Sequence, residues 1–131
     1  MNSNRRLSPA QILQQLQRRV PEVTAAEARE QMESGDAGVI LDVREPDEWA
    51  QGHIPGAIHV PLGVLQERAD PANPASVPEL TEQKGRRVIV QCASGIRSLY
   101  GADMLRQLGY TDPVSMAGGI HDWFAQGFPV E

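Results

Sequence analysis

The feature of this chain that most restricts its fold is an alternation of short apolar runs with helical segments. "GVILDV" and "VIVQC", the latter at Val88 to Cys92, are nearly continuous runs of aliphatic residues, which is typical of parallel strands covered on both faces. Weaker strand candidates are "AIHV" at Ala57 to Val60 and "PVSM" at Pro113 to Met116. Beside them lie "PDEWAQG", "LGVLQERA", "RSLYGADMLRQLG" and "GIHDWFAQG", which have helical composition and mostly stop at Gly or Pro. The alternation predicts an α/β domain with a parallel sheet wrapped by helices.

Two helix starts precede the first strong strand. Ser8 followed by Pro9 is typical of an N-cap and first helical residue, and the apolar stripe that follows predicts a short amphipathic helix or a frayed arm. "TAAE" at residues 24–27 has capping-box spacing and predicts a helix that ends near Gly35. We therefore expect an N-terminal basic helical arm over residues 1–22 and a single domain over residues 23–131.

Charge and composition exclude several classes of function. Residues 1–22 carry four arginines, Arg5 among them, against one glutamate, whereas the remainder carries 8 basic and 16 acidic residues. A domain with this excess of acidic residues binds a phosphate backbone poorly, so we expect no nucleic-acid partner. Because the start lacks a signal-like apolar core and no run of about 18 apolar residues occurs, we expect a cytoplasmic protein with no membrane partner.

The chain has one cysteine, Cys92, which rules out an internal disulfide and a two-cysteine redox cycle within one chain. The three histidines do not show the pair spacing of common zinc sites, so we expect no metal and no cofactor.

Cys92 directly follows a predicted strand, and the next helix begins five residues later. Ligands of open α/β sheets gather beyond the carboxyl ends of the strands, and Gly95 supplies the freedom that so tight a turn requires. Backbone N–H groups at the head of a helix favour an anion, and such donors with a nearby arginine can lower a cysteine pKa from about 8.5 to roughly 3.5–7.5. The alternative is that Cys92 is a small hydrophobic residue at the end of a buried strand, with no chemical role. Gly95, Arg97 and the strand-to-helix position favour a functional cysteine.

Three segments together resemble the rhodanese family: "LDVREPDEWAQGHIPGAIHVPLG", "CASGIRS" and "MAGGIHDWFAQGFPV". They occur in the family's order and at its spacing between about Val23 and Val130. The resemblance implies a single rhodanese-like domain with a central parallel sheet of about five strands, flanked by helices on both faces.

The resemblance also implies a reaction. The Cys92 thiolate would attack the outer sulfur of a sulfane donor such as thiosulfate, expel sulfite and hold the transferred atom as a persulfide. Cyanide or a thiol would then accept that sulfur, in a double-displacement cycle with ping-pong kinetics. The expected partners are a small-molecule donor and acceptor, with a protein donor or acceptor as an alternative.

The site residues follow from the same resemblance. Cys92 is the expected nucleophile, and Arg97 is the cation expected to close the loop. Arg44 is the candidate for substrate contact, with Asp42 as its support, and a structural role for both is the alternative. His53 and His59 are expected to be turn and packing residues. The substrate-binding set is completed by the other loop residues: Ala93, Ser94, Gly95, Ile96 and Ser98.

One departure from the family pattern and two rival classes of protein keep alternatives open. Family members that handle thiosulfate well often have basic residues directly after the cysteine, where this chain has Ala93 and Ser94, so a protein persulfide or a mercaptopyruvate-like donor is also considered. A cysteine-dependent phosphatase or arsenate reductase would need five residues between cysteine and arginine, and this loop has four. The remaining alternative is a non-catalytic binding or regulatory module.

Overall fold

A computed structural model describes residues 6–131, so Arg5 of the basic segment lies outside the described residues. The chain forms one five-stranded sheet in the order β1-β5-β4-β2-β3, and every strand pair is parallel. The strands are β1 Glu22–Val23, β2 Ala37–Asp42, β3 Ile58–His59, β4 Arg87–Gln91 and β5 Asp112–Met116. The predicted α/β class with a parallel sheet of about five strands is confirmed. All four predicted runs form strands, and the sequence pattern missed β1, whose two residues carry too little periodicity to detect.

Helices cover both faces of this sheet. They are α1 Pro9–Arg19, α2 Ala25–Ser34, α3 Pro46–Gln51, α4 Leu65–Arg68, α5 Pro78–Thr81, α6 Arg97–Gln107 and α7 Gly119–Ala125, with a 3-10 turn over Leu62–Val64. Ser8 is the N-cap of α1, Thr24 forms a capping box at the start of α2, and the left-handed Gly35 ends α2, as the sequence predicts. Ser8 also forms a capping box, with Gln11. None of the helices within residues 6–131 is long and apolar enough to cross a membrane.

Alternating side chains of β4 enter two separate cores. Val88, Val90 and Cys92 belong to one core, which includes residues of α1, α4, α5 and α6. Ile89 belongs to the core on the other face, which includes residues of α2 and α7. Because successive side chains of a strand point to opposite faces, this register sends Cys92 toward α6.

Helix α1 packs on the domain. Leu16 and Val20 are buried, and the Arg19 guanidinium lies 3.1 Å from the Asp103 carboxylate of α6. In return, the Arg106 guanidinium donates to the Arg19 carbonyl at 2.9 Å. The domain boundary at residue 22 stays a prediction, but the described part of the N-terminal segment is tied to α6 by both apolar and polar contacts.

The carboxyl ends of β4 and β5 are joined through backbone contacts. The Ile120 N–H donates to the Cys92 carbonyl at 2.8 Å, and the His121 N–H donates to the Ala93 carbonyl at 3.2 Å. These bonds require close approach at Gly119, whose φ is +54° and where a Cβ would overlap the Cys92 carbonyl and the Ala93 backbone. The first turn of α7 therefore holds the segment that carries the cysteine.

Replacement of Gly119 by alanine should destabilise the protein more than the same replacement at Gly127. Both glycines are left-handed, so each alanine incurs roughly 1–2 kcal/mol of backbone strain. At Gly127 a Cβ meets nothing within 4 Å, whereas Gly119→Ala adds an overlap of the kind that costs about 1–3 kcal/mol. Urea unfolding of both variants measures the difference, and equal losses would show that the close approach contributes nothing to stability.

Candidate active site

The Cys92 sulfur lies at the amino end of α6, inside the turn that leads from β4 to this helix. The backbone N–H of Gly95 donates to Sγ at 3.1 Å, and that of Ser98 donates to Sγ at 3.4 Å. Helix α6 has no side-chain hydrogen bond from its N-cap residue, Ile96. Since the first N–H groups of a helix need acceptors from outside, the sulfur accepts a hydrogen bond of the kind that a capping side chain would otherwise accept.

Two buried hydroxyl groups extend this arrangement. Ser98 Oγ lies 3.5 Å from Cys92 Sγ and 2.7 Å from Ser115 Oγ, and all three residues are buried. When the sulfur is a thiolate, it can accept from the Ser98 hydroxyl, which can in turn accept from Ser115. Ser115 therefore supports an anionic sulfur through Ser98.

These contacts decide the protonation of the cysteine. Burial raises the pKa of the Cys92 thiol, but hydrogen bonds from the Ser98 side chain and from the N–H groups of Ser98, Gly95 and Ser94 lower it by more. The net result is a pKa below the ordinary value of a cysteine. Hydrogen bonds to the charged form thus outweigh desolvation, and the fraction of nucleophilic thiolate at neutral pH rises.

Arg97, the predicted loop cation, is held by a carboxylate. Its Nη1 lies 2.7 Å from Glu48 Oε1 and its Nη2 lies 2.9 Å from Glu48 Oε2, which is a bidentate pair between α6 and α3. The hydrogen bonds that Arg97 donates to Glu48 lower the pKa of Glu48 to about 2 and raise the pKa of Arg97. Both groups therefore stay charged at every physiological pH.

Arg44 and Asp42 form a second, buried pair. Arg44 Nη2 lies 2.8 Å from Asp42 Oδ2, and the same guanidinium donates to the carbonyls of Glu48 and Gly52 at the end of α3. A buried charge requires such partners, and these contacts fasten α3 to the end of β2. The structure thus gives Arg44 a clear structural task, and its contact with substrate stays a prediction.

An open cleft of about 490 Å³ lies beside the cysteine loop. Its lining residues are Arg44, Glu48, Gln51, Gly52, Ala93, Ile120, His121, Phe124 and Val130. Phe124 is the most exposed large apolar residue that the structure describes, at 71%, whereas Cys92 is 1% exposed. The cleft therefore has an apolar wall, and the sulfur lies below the loop rather than on the protein surface.

The remaining predicted residues divide between the loop and its surroundings. Ala93 lines the cleft, and Ser94 and Ile96 are exposed on the outer side of the turn. His53 and His59 both stack on Trp49, with ring centroids 3.6 and 4.7 Å apart. The structure brings the cysteine loop and the two arginine pairs to one edge of the sheet, and it gives the two histidines packing contacts.

Sequence reasoning missed three residues of this site. Ser115 and Phe124 carried no signal, because a strand serine and an exposed aromatic are ordinary in sequence. Glu48 was visible as a charged residue on α3, and its pairing with Arg97 joins residues 49 positions apart. A family alignment that showed the carboxylate and the arginine to vary together could have found this pair.

Comparison with known proteins agrees with this geometry. Residues 24–126 match the model of the rhodanese-like domain. A protein of Allochromatium vinosum named sulfurtransferase is 30% identical over 85% of this chain and 94% of its own length. A candidate sulfur carrier protein of Bacillus subtilis is 32% identical over 79% of this chain, which spans 51% of that relative. A solved structure from Rhodopseudomonas palustris, of unknown function and described as a possible tyrosine phosphatase, is 28% identical, with a TM-score of 0.87 over 100% of this chain and 99% of that one.

The fold, the cysteine turn between the middle strand and α6, and the matched residues define a rhodanese-like domain. The chain belongs to the rhodanese-like family, and the resemblance seen in its sequence is confirmed.

Replacement of Ser98 by alanine should raise the pKa of the Cys92 thiol. The variant keeps the backbone N–H of residue 98 but loses the hydroxyl that hydrogen-bonds to the thiolate. Loss of one hydrogen bond to a charged group should move the titration midpoint upward by about 1 pH unit. Thiolate absorbance at 240 nm against pH, with Cys92→Ser as the blank, measures the midpoint. Ser94→Ala is the matched control, because this exposed serine of the same loop keeps its N–H and should leave the midpoint in place. An unchanged midpoint in Ser98→Ala would show that the Ser98 hydroxyl does not lower the pKa of Cys92.

Proposed function

We propose that this protein is a rhodanese-type sulfurtransferase that carries sulfane sulfur on Cys92. The observation that supports this most strongly is the convergence of the Gly95 and Ser98 N–H groups on the Cys92 sulfur at the head of α6. Such donors stabilise negative charge on the attacking thiolate and on the persulfide that replaces it. Relatives named as sulfurtransferases favour the same reaction.

The first half-reaction transfers a sulfur atom to the enzyme. The Cys92 thiolate attacks the outer sulfur of thiosulfate, a new S–S bond forms, and the S–S bond of the donor breaks with its electron pair leaving on sulfite. The cysteine becomes a persulfide anion, so the negative charge of the site is conserved. A lowered pKa makes a separate general base unnecessary, since the nucleophile is already ionised.

The second half-reaction returns the enzyme to its starting state. Cyanide or a thiolate attacks the terminal sulfur of the persulfide, and the electron pair of the breaking S–S bond returns to Cys92 as the thiolate. The product is thiocyanate or a new persulfide. Because the first product leaves before the acceptor reacts, the kinetics are ping-pong.

Thiosulfate is the working donor. A human relative named thiosulfate:glutathione sulfurtransferase is 33% identical over 79% of this chain and 92% of its own length, which favours a small donor and a small thiol acceptor. The sulfur-carrier name of the Bacillus relative keeps a protein donor or acceptor open.

Phosphate-ester hydrolysis is the second candidate, because the structure from Rhodopseudomonas palustris is described as a possible tyrosine phosphatase. The loop disfavours it. Four residues separate Cys92 from Arg97, the N–H groups of Gly95 and Ser98 are directed at the sulfur itself, and Arg97 is paired with Glu48. A phosphate group bound beside a thiolate needs a wider ring of donors. A purely binding module is disfavoured too, since it has no need of a cysteine with a lowered pKa.

Exposure to thiosulfate should add one sulfur atom to the protein. Intact-mass measurement is expected to show a gain of about 32 Da that dithiothreitol reverses and that is absent from Cys92→Ser, as for a covalent intermediate. Cyanide added to the sulfurated protein should release one equivalent of thiocyanate. Hydrolysis of para-nitrophenyl phosphate without any mass gain from a sulfane donor would instead favour the phosphatase.

A further inference from the structure

The cleft beside Cys92 offers little free positive charge to a substrate. Arg44 lines the cleft, but Asp42 and two backbone carbonyls hold its guanidinium. Arg97 lies next to the cleft, and both of its terminal nitrogens bond to Glu48. Each of these arginines is therefore matched by a carboxylate, so the pairs add no net charge to attract an anion.

This charge balance bears on thiosulfate, which carries two negative charges. Thiosulfate must approach a sulfur that is itself anionic and a carboxylate, Glu48, that stays ionised because the hydrogen bond from Arg97 lowers its pKa to about 2. Like charges brought together in a partly desolvated cleft repel one another, and repulsion of this kind discriminates between substrates. A donor of lower charge experiences less electrostatic repulsion in this cleft.

The same cleft carries apolar surface that thiosulfate cannot use. Ile120, Phe124 and Val130 all line it, and the Phe124 side chain is 71% exposed. Their surface would be removed from water by a donor with a carbon group, which is favourable. Small-molecule sites combine apolar walls with a few placed polar groups in this manner.

We propose that the site selects organic sulfane donors of low charge, such as thiosulfonates and alkyl persulfides, and that Glu48 is a specificity-determining residue that holds Arg97 away from dianionic thiosulfate. The donor's carbon group packs against Phe124. This inference rests on the proposed sulfurtransferase function and adds the class of donor. With a thiosulfonate, the Cys92 thiolate takes the outer sulfur, the S–S bond breaks with its electron pair on the leaving sulfinate, and a Cys92 persulfide remains, as with thiosulfate.

Three donors test charge and carbon group separately. Thiosulfate carries two negative charges, methanethiosulfonate carries one with a small carbon group, and benzenethiosulfonate carries one with an aromatic group. Thiocyanate formation from cyanide is followed at the same pH and ionic strength for every donor and every variant. Because the donors differ in intrinsic reactivity, the deciding quantity is the ratio of kcat/KM between donors, compared across variants.

Glu48→Gln should release Arg97 and raise the ratio of kcat/KM for thiosulfate to that for benzenethiosulfonate by about 5–20-fold, mainly through a lower KM for thiosulfate. The gain should shrink in added KCl, as expected for attraction to a partly exposed charge. The substitution keeps an oxygen that can accept the Glu45 N–H, so the start of α3 is preserved. Asp47→Asn is the matched control, because this exposed carboxylate on the same turn loses the same charge and should leave the ratio within about 2-fold.

Phe124→Ala tests the apolar wall. It should lower the ratio of kcat/KM for benzenethiosulfonate to that for methanethiosulfonate by about 5–10-fold, because the aromatic donor loses its packing partner. Tyr100→Ala is the control, since Tyr100 is exposed on α6 and lines a different groove.

The inference is overturned if Glu48→Gln lowers activity with all three donors in parallel, which would mean that Glu48 only positions Arg97 for catalysis. It is also overturned if the donor ratios match those of the wild type in both Glu48→Gln and Phe124→Ala. In either case sulfur transfer itself is intact and the proposed function stands. If no donor yields thiocyanate or sulfurates Cys92, the proposed function and this inference fail together.

Discussion

The site depends on how the turn from β4 enters α6. Ile96, the N-cap residue, has no side chain that can cap the helix, and the free N–H groups at the start of α6 point inward. The Cys92 sulfur accepts hydrogen bonds from two backbone N–H groups, that of Gly95 in the loop and that of Ser98 in the first turn of α6. A sulfur atom is a weak acceptor as a thiol and a much better one as a thiolate, so satisfying the helix end and ionising the cysteine are the same event. Stability of the helix start and ionisation of Cys92 are therefore coupled.

The sheet and its turns fix this arrangement from outside. β4 is the middle strand of five, so Cys92 emerges between the ends of β2 and β5, and the ends of parallel strands meet at one edge. The first turn of α7 donates hydrogen bonds to the backbone carbonyls of Cys92 and Ala93, and the Ser115 hydroxyl of β5 supports that of Ser98. On the other side, α3 brings Glu48 to Arg97, and Arg44 fastens α3 to β2. Acidic and basic groups thus organise the cleft walls in pairs, while the sulfur is held by backbone and hydroxyl groups.

Much of the fold could be predicted from sequence because its signals are local. The N-cap at Ser8, the capping box at Thr24 and the aliphatic runs of β2 and β4 each specify an element within a few residues. Cys92, Gly95 and the helix that follows specify the turn. The two-residue β1 could not be predicted, since it exists only through pairing with β5. The packing of α1 against α6 likewise depends on contacts between Arg19 and Asp103, which are 84 positions apart.

The candidate site was predictable to the extent that it lies in one loop. The position of the cysteine and the Gly95 and Ser98 backbone follow from the strand-to-helix turn, but the direction of the Arg97 side chain does not, because it is set by a carboxylate on another element. That difference matters for chemistry. A free arginine would attract a dianion, and the observed pair with Glu48 is the basis of the proposed preference for organic donors.

The central claim is that sulfur is carried on Cys92 as an anion held by the loop. The most direct test is a crystal structure of the protein after treatment with a sulfane donor. It should show one additional atom about 2.05 Å from Cys92 Sγ, the length of an S–S bond, within hydrogen-bond distance of backbone N–H groups of the loop. An unmodified cysteine in protein that has turned over, or an added sulfur directed away from those N–H groups, would contradict it.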